Sequence, residues 1–502
     1  MKSYEASVGR LNETRDFRSP RDVDGHGTHT ASTVGGRRVP NAAALGGFGN
    51  GTASGGAPHV RLAIYKVCWP IPDKTLAEGN MCLTDDIIAA FDDAISDGVH
   101  VISVSLGAIP KGQYYTQDGI AIGALHAVKR NIVVAGSAGN DGPKLCIPGT
   151  LSRNLVKGKI VVCRSLPSIL ASQEVQRAGG AATILVREYN EIAVNAFLHP
   201  TTVVFSYSLD AINKYISNDE NPMATLIPGE TVLGTKPAPV MAPFTSVGPN
   251  IIEPNILKPD ITAPGLNILA AWSEASSPTK FPFDRRVVKY NIVSGTSMSC
   301  PHVSAVAALL KAIHPDWSSA AIRSALMTTA TTNNVVGAPI VSSTGYLATP
   351  FEYGAGHILP SNAADPGLVY DTTYNDYLLF LCSTGVTLDS SFKCPKNTPS
   401  ASNLNYPSLS IANLQGFMTI KRTVTNVGKS NSTYIVKVTA PPGYVVAISP
   451  ATLRFSQQGE KQSFNVTVRT NGAGKRNGFA FGGYSWSDGV HVVSSPIAVS
   501  SA

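Results

Sequence analysis

The sequence predicts an α/β protein built on a parallel sheet, with an inserted domain in its middle and a separate antiparallel β-sandwich at its C-terminal end. Three features predict this. From residue 60, short apolar runs alternate with helical patterns. The alternation breaks after Pro143 and resumes past residue 235. From about residue 402, apolar and polar residues alternate singly between Gly, Pro and Asn turns, as in a sandwich.

The elements follow in order. RLAIYKV (61–67) reads as a buried strand, and residues 83–98 carry Ile87, Ile88, Phe91, Ala94 and Ile95 on one helical face closed by Gly98. VHVISVSLG (99–107) is the next strand, 118–131 the next helix, and IVVAGSAGN (132–140) a further strand. Such an order implies a parallel sheet with right-handed crossovers, with reactive residues beyond the carboxyl ends of its strands. Residues 155–235 hold the short strands VKGKIVVC, AATILV and PTTVVFSY around the helical SQEVQRAGG, an inserted domain. The main pattern returns at 258–272 and in a helical region from Ser297 to Ala330, interrupted at His314 and Pro315. TIKRTVTNVG, TYIVKVTAP, ATLRFS and SFNVTVRT supply sandwich strands. The expected boundaries are 1–143 and 236–385 for the two parts of the α/β domain, 144–235 for the insert and 400–502 for the sandwich.

Composition narrows the function classes. The chain has 502 residues, of which 43% are apolar and 15% charged, with a formal charge of +7. That is a globular composition with ample core material. No run of like charge or basic-aromatic interleaving points to nucleic acid, and no apolar stretch is long enough for a membrane helix. The start, MKSYEASVGRLNETRDF, lacks the apolar region of a secretory signal. Other features look extracellular. Sequons stand at Asn12, Asn50, Asn431 and Asn465, and six of seven cysteines fall into local pairs, Cys68 with Cys82, Cys146 with Cys163 and Cys382 with Cys394. Three bridges with Cys300 left over is the simplest arrangement; seven reduced, buried thiols is the other.

Three distant segments carry the chemistry: DGHGTHTAS (24–32), AGSAGNDGP (135–143) and SGTSMSCPH (294–302). In the last, Gly295 allows a tight turn before Ser297, and the residues after it have the period of a buried helix. A serine there lies where backbone N–H groups and the helix dipole favour developing negative charge. A hydroxyl needs a base, and His26 is the candidate. Asn140 closes a strand and could aim its amide at a tetrahedral oxyanion. Singly, the three residues also read as a capping histidine, a helix cap and a turn residue. His26 and His29 could offer two zinc ligands, yet no downstream carboxylate or Cys pair completes a set, and no metal or cofactor is expected.

These segments, with VISVSLG and the C-terminal PSL and RTVTNVG, resemble plant subtilases, the cucumisin-like branch of the subtilisin family, over nearly the whole chain. The resemblance implies a secreted serine endopeptidase acting on peptide or protein substrates, with His26 as general base, Ser297 as nucleophile and Asn140 in the oxyanion site. It further implies an extended substrate beside Ser105, Leu106 and Gly107 and beside Ala138 and Gly139, a form of strand addition. The insert resembles a protease-associated domain, and the tail a fibronectin-III-like sandwich.

Departures from the family set a second expectation. Its triad aspartate, on a strand upstream of the histidine in a D-T-G context, has no counterpart here; Asp16, Asp22 and Asp24 are nearby, but an aspartate like Asp24 accompanies the catalytic one in the family. Losing that carboxylate lowers turnover by roughly four orders of magnitude, so a non-catalytic pseudoprotease or binding protein is the alternative. Pro143 is followed almost at once by Cys146, which removes part of the first specificity pocket's expected wall. Ala305 and Val247 replace the family's usual glycine and arginine, and Cys300 predicts sensitivity to thiol reagents.

Overall fold

The computed structural model describes all residues except 108–114, 141–150, 152, 165–167, 188–192, 387–390, 472–477 and 502. Strands Val101–Val104 and Val133–Gly136 pair in parallel, Val101 opposite Val133 and Val104 opposite Gly136. Each face of this pair is covered. On one side lie helices Thr84–Ser96 and Gly119–Lys129, with Ile87, Phe91, Val104, Ala127 and Ile132 in a common core. On the other lie helices Thr296–Ile313 and Ser319–Thr328, whose Val306, Leu310, Ile322 and Leu326 pack with Val133. A fully buried Leu or Ile in such a layer contributes roughly 1.5–3 kcal/mol. Helix ends follow local chemistry: Asp118 caps Gly119–Lys129 by accepting from the Ile120 amide at 2.9 Å, and the cationic Lys129 lies in the last turn.

The segment 61–67 departs from expectation. It forms no ladder among the described residues, and Leu62 and Ile64 are 46% and 50% exposed. Only Val67 packs against the neighbouring core. An apolar run becomes a strand by exchanging backbone bonds with a neighbour, and among the described residues Val101–Val104 is paired with Val133–Gly136 alone. The predicted strand in 258–272 exists as Ile268–Ala271, in an antiparallel hairpin with Tyr290–Val293. That hairpin leads directly into the serine-bearing helix.

The insert is a parallel three-stranded sheet, Ile160–Arg164, Ala182–Arg187 and Thr201–Phe205, flanked by helices Ser168–Arg177 and Ser206–Asn218. Its own core contains Val156, Cys163, Val175 and Leu185. Arg286 ties it to the main body, donating to the carbonyls of Ala196 and Phe197 at 2.5 and 2.9 Å while held by Asp284.

The tail is a two-sheet sandwich. One sheet orders Leu368–Val369, Phe417–Asn426, Lys461–Thr470 and Tyr444–Ser449; the other orders Leu409–Leu414, Val492–Ser501, Ala480–Ser487, Ser432–Thr439 and Thr452–Phe455. Trp486, Phe464 and Tyr434 fill its centre. Leu368–Val369 belongs in sequence to the α/β part, so the two units share a sheet edge.

Cys68–Cys82 and Cys382–Cys394 are disulfide-bonded. Cys146, expected to pair with Cys163, lies outside the described residues. Asn12, Asn50, Asn431 and Asn465 are all exposed. Among the described residues no helix is long and apolar enough to cross a membrane.

Candidate active site

The histidine segment is shaped by Asp22. One carboxylate oxygen accepts from the amides of Asp24 and Gly25 at 2.9 and 3.0 Å; the other accepts from the Thr28 amide and hydroxyl at 2.7 and 2.6 Å. The bond from the Thr28 amide satisfies a donor that a helix start leaves orphaned, and the other three brace the turn before the helix against its first turn. Gly25 precedes the helix at φ 98°, and a Cβ there would meet the Trp272 ring at 2.4 Å. Glycine is required on both counts. His26 then opens helix His26–Gly35, its amide donating to Asp24 Oδ1 at 3.2 Å.

Burial lowers the His26 pKa, and the Lys280 cation adds to this against the opposing pull of Asp24 and Asp22. The imidazole is therefore neutral and able to accept a proton near pH 7. His29, one turn on, is fully buried. Its Nε2 meets the Ile268 carbonyl at 2.9 Å, and desolvation takes its pKa down to about 4. This arrangement fixes the helix against the Ile268–Ala271 strand and leaves Nε2 already engaged.

Ser297 is the second residue of helix Thr296–Ile313, which packs both on the carboxyl-terminal region of the parallel strands and along the histidine helix. Beneath it the Cys300 thiol donates to the Ala135 carbonyl at 3.2 Å. Cys300 is only 4% exposed and burial raises its pKa. This corrects the expected thiol sensitivity, since reagents attack an accessible thiolate. Ala305 is likewise fully buried, its methyl packed against Gly56.

Asn140 is tied to the same helix. Its Oδ1 accepts from the Thr296 amide at 3.0 Å and the Thr296 hydroxyl at 3.2 Å, and the Gly139 amide donates to that hydroxyl at 3.1 Å. With Oδ1 so occupied, Nδ2 remains the free end of the amide. A Cβ at Gly295 would come 3.3 Å from Nδ2, so the glycine keeps that approach open. Among the described residues neither Nδ2 nor the Ser297 amide has an acceptor.

Ser297 and Asn140 are thus brought together through Thr296, and His26 leads the helix packed beside theirs. No hydrogen bond joins His26 to Ser297; the Ser297 hydroxyl donates to the Ser105 carbonyl at 3.2 Å. None of the three nearby aspartates bonds the His26 ring. Asp22 caps the helix, Asp24 holds Lys280, and Asp16 pairs with Lys66. Ser105, Leu106 and Gly107 follow one parallel strand, and Ala138 and Gly139 follow the other. Gly107, Ala138 and Gly139 are exposed, whereas Leu106 packs partly into the adjoining core. Sequence reading missed Thr296, although it stands next to the serine, and Trp272 and Lys280, which no spacing connects to His26.

Comparison with known proteins identifies the family of the chain. Residues 2–356 match the model of the subtilase family, and residues 403–499 match that of a fibronectin type-III domain. The chain is 48% identical to subtilisin-like protease SBT5.6 of Arabidopsis thaliana, over 100% of this chain and 74% of that protein. It is 46% identical to subtilisin-like protease SBT5.5 of the same plant, over 99% and 73%. To subtilisin-like serine-protease S of Lotus japonicus the identity is 38%, over 99% and 75%. Both measures, a family match over more than half the chain and near-complete alignment to close relatives, place it in one group: the chain belongs to the subtilase family of subtilisin-like serine proteases.

Proposed function

We propose that this chain is a serine endopeptidase in which Ser297 attacks the scissile carbonyl, His26 takes the hydroxyl proton and returns it to the leaving amine, and Asn140 Nδ2 with the Ser297 amide binds the oxyanion. The observation that carries this is the Thr296 junction, which orients Asn140 from its oxygen side and leaves its N–H end unspent beside the nucleophile. Attack forms a tetrahedral intermediate. Its collapse expels the amine and leaves an acyl-Ser297 ester, which water, deprotonated by His26, hydrolyses. The peptide lies extended between 105–107 and 138–139, where Gly107, Ala138 and Gly139 are exposed. Without a carboxylate on the His26 ring, turnover is expected to be lower by roughly four orders of magnitude than with one.

The insert at 144–235 fits a protease-associated domain, a small unit with its own core standing between base and nucleophile. Two disulfides and four exposed sequon asparagines support an exported, glycosylated protein.

A fluorophosphonate probe tests the catalytic reading. Covalent labelling at Ser297, lost in Ser297→Ala and in His26→Ala, is the expected result. No labelling of folded wild-type protein would instead support a non-catalytic binding role.

A further inference from the structure

The start of the histidine helix is held by charges from a remote loop. Lys280 lies between the hairpin strands Ile268–Ala271 and Tyr290–Val293 and adopts φ 62°. Its Nζ is 2.5 Å from Asp24 Oδ1, the same oxygen that accepts the His26 amide at 3.2 Å. The second Asp24 oxygen accepts from Asn80 Nδ2 at 3.3 Å. Lys280 Nζ also stands 5.5 Å from the centre of the Trp272 ring, the ring that covers Gly25. Trp272 is in turn fixed by its Nε1, which donates to the carbonyls of Ser276 and Ser277 at 3.2 and 3.3 Å. Cation, carboxylate and indole therefore converge on the residue that precedes His26 and on His26 itself.

We propose that Asp24 and Lys280 are the positioning pair of the base: the carboxylate pins the first turn through the His26 amide, and the ammonium it holds keeps the imidazole in its neutral, proton-accepting form. The inference rests on the reading of His26 as the base. Its physical logic is local. The charged or titratable groups that act on His26 are Asp22, Asp24 and Lys280, and His29 on the same helix. Asp22, like Asp24, favours the imidazolium, and His29 stays neutral to about pH 4. Beyond burial itself, Lys280 is the group that disfavours an imidazolium here, and Asp24 determines where Lys280 sits. A serine enzyme so arranged keeps its base unprotonated further into acid than an ordinary histidine allows.

The test is an NMR titration of the His26 ring in the whole protein, with Lys280→Met, Lys280→Arg and Asp24→Asn. Lys280→Met is expected to raise the midpoint by about half a pH unit or more, and Asp24→Asn, which removes the carboxylate and frees the ammonium at once, to move it less. Lys280→Arg, which keeps the charge, should restore the wild-type value. Midpoints that stay together in all four proteins, or a Lys280→Met midpoint that does not rise, would overturn the pair. Should a variant lose its folded spectrum, the salt dependence of the wild-type midpoint decides, since a Lys280 field weakens with ionic strength and burial alone does not. The titration reads this pair whether or not Ser297 reacts, so its failure and that of the probe experiment are separate outcomes.

Discussion

Ser105 and Ser297 are bonded to each other in both directions: Ser105 Oγ donates to the Ser297 carbonyl at 2.9 Å, and Ser297 Oγ donates to the Ser105 carbonyl at 3.2 Å. The first bond clamps the opening turn of the serine helix to the end of strand Val101–Val104. The second holds the hydroxyl at rest, and the proposed mechanism requires it to turn toward His26. Exchanging one neutral bond for another costs on the order of 1 kcal/mol, which is small beside a chemical barrier.

Ser105→Ala separates the two bonds, because it removes the clamp and keeps the resting acceptor. Stability should fall by about 1 kcal/mol. Ser297 should still be labelled by a fluorophosphonate, no more than about tenfold slower. Thermal unfolding and labelling rates measure both, and complete loss of labelling in a folded variant would contradict this division of roles.

Thr296→Val tests the orientation of Asn140. The variant loses the hydroxyl that binds Asn140 Oδ1 and the Gly139 amide, yet keeps the backbone bond at 3.0 Å. Acylation of Ser297 should slow by roughly tenfold, against roughly 10²–10³ for Asn140→Ala, which removes the donor itself. Equal rates in Thr296→Val and wild type would mean that the hydroxyl does not aim the amide.

Periodic, self-contained elements were legible in the sequence. Helix Thr84–Ser96 buries Ile87, Phe91 and Ala94 as its spacing predicts, and the sandwich strands alternate as read. The run at 61–67 was not legible, because a parallel strand owes its ladder to a partner that its own residues do not encode. The same holds at the site. His26, Ser297 and Asn140 sit in glycine-framed motifs that announce themselves, whereas Lys280 reaches Asp24 across 256 positions through the fold alone.

Gly25→Ala should be among the most damaging small substitutions. At φ 98° any side chain costs about 1 kcal/mol or more, and the new methyl would stand 2.4 Å from the Trp272 ring. Displacing that buried indole adds roughly 1–3 kcal/mol. The thermal midpoint should drop by several degrees for a loss of about 2–4 kcal/mol. Trp272→Ala in the same chain should recover the steric part, so the two changes will not add. Strict additivity would show that backbone conformation alone sets the cost.

A pH effect on stability is expected far from the site, where the sandwich meets the α/β part. His491 Nδ1 lies 2.8 Å from Asp488, and its Nε2 lies 3.2 Å from Asp365, which precedes the shared strand Leu368–Val369. Burial alone would depress this imidazole, but its bonds to Asp488 and Asp365 outweigh burial and raise its pKa. Asp488 is also costly to desolvate, yet its bonds from His491 bring it to about 2. A raised histidine stabilises the fold below its unfolded pKa, near 6.5, and loses that contribution as pH rises through the folded value. A depressed carboxylate stabilises above its unfolded pKa, near 3.9, and loses that as pH falls toward 2. The two windows overlap between about pH 4 and 6.5. Because Asp365 is exposed, the imidazolium should be worth only about 1 kcal/mol. Melting wild type and His491→Gln from pH 4 to 9 should therefore show a gap that is widest in acid and closes in alkali; a gap that grows with pH would mean that His491 serves as a neutral packing group.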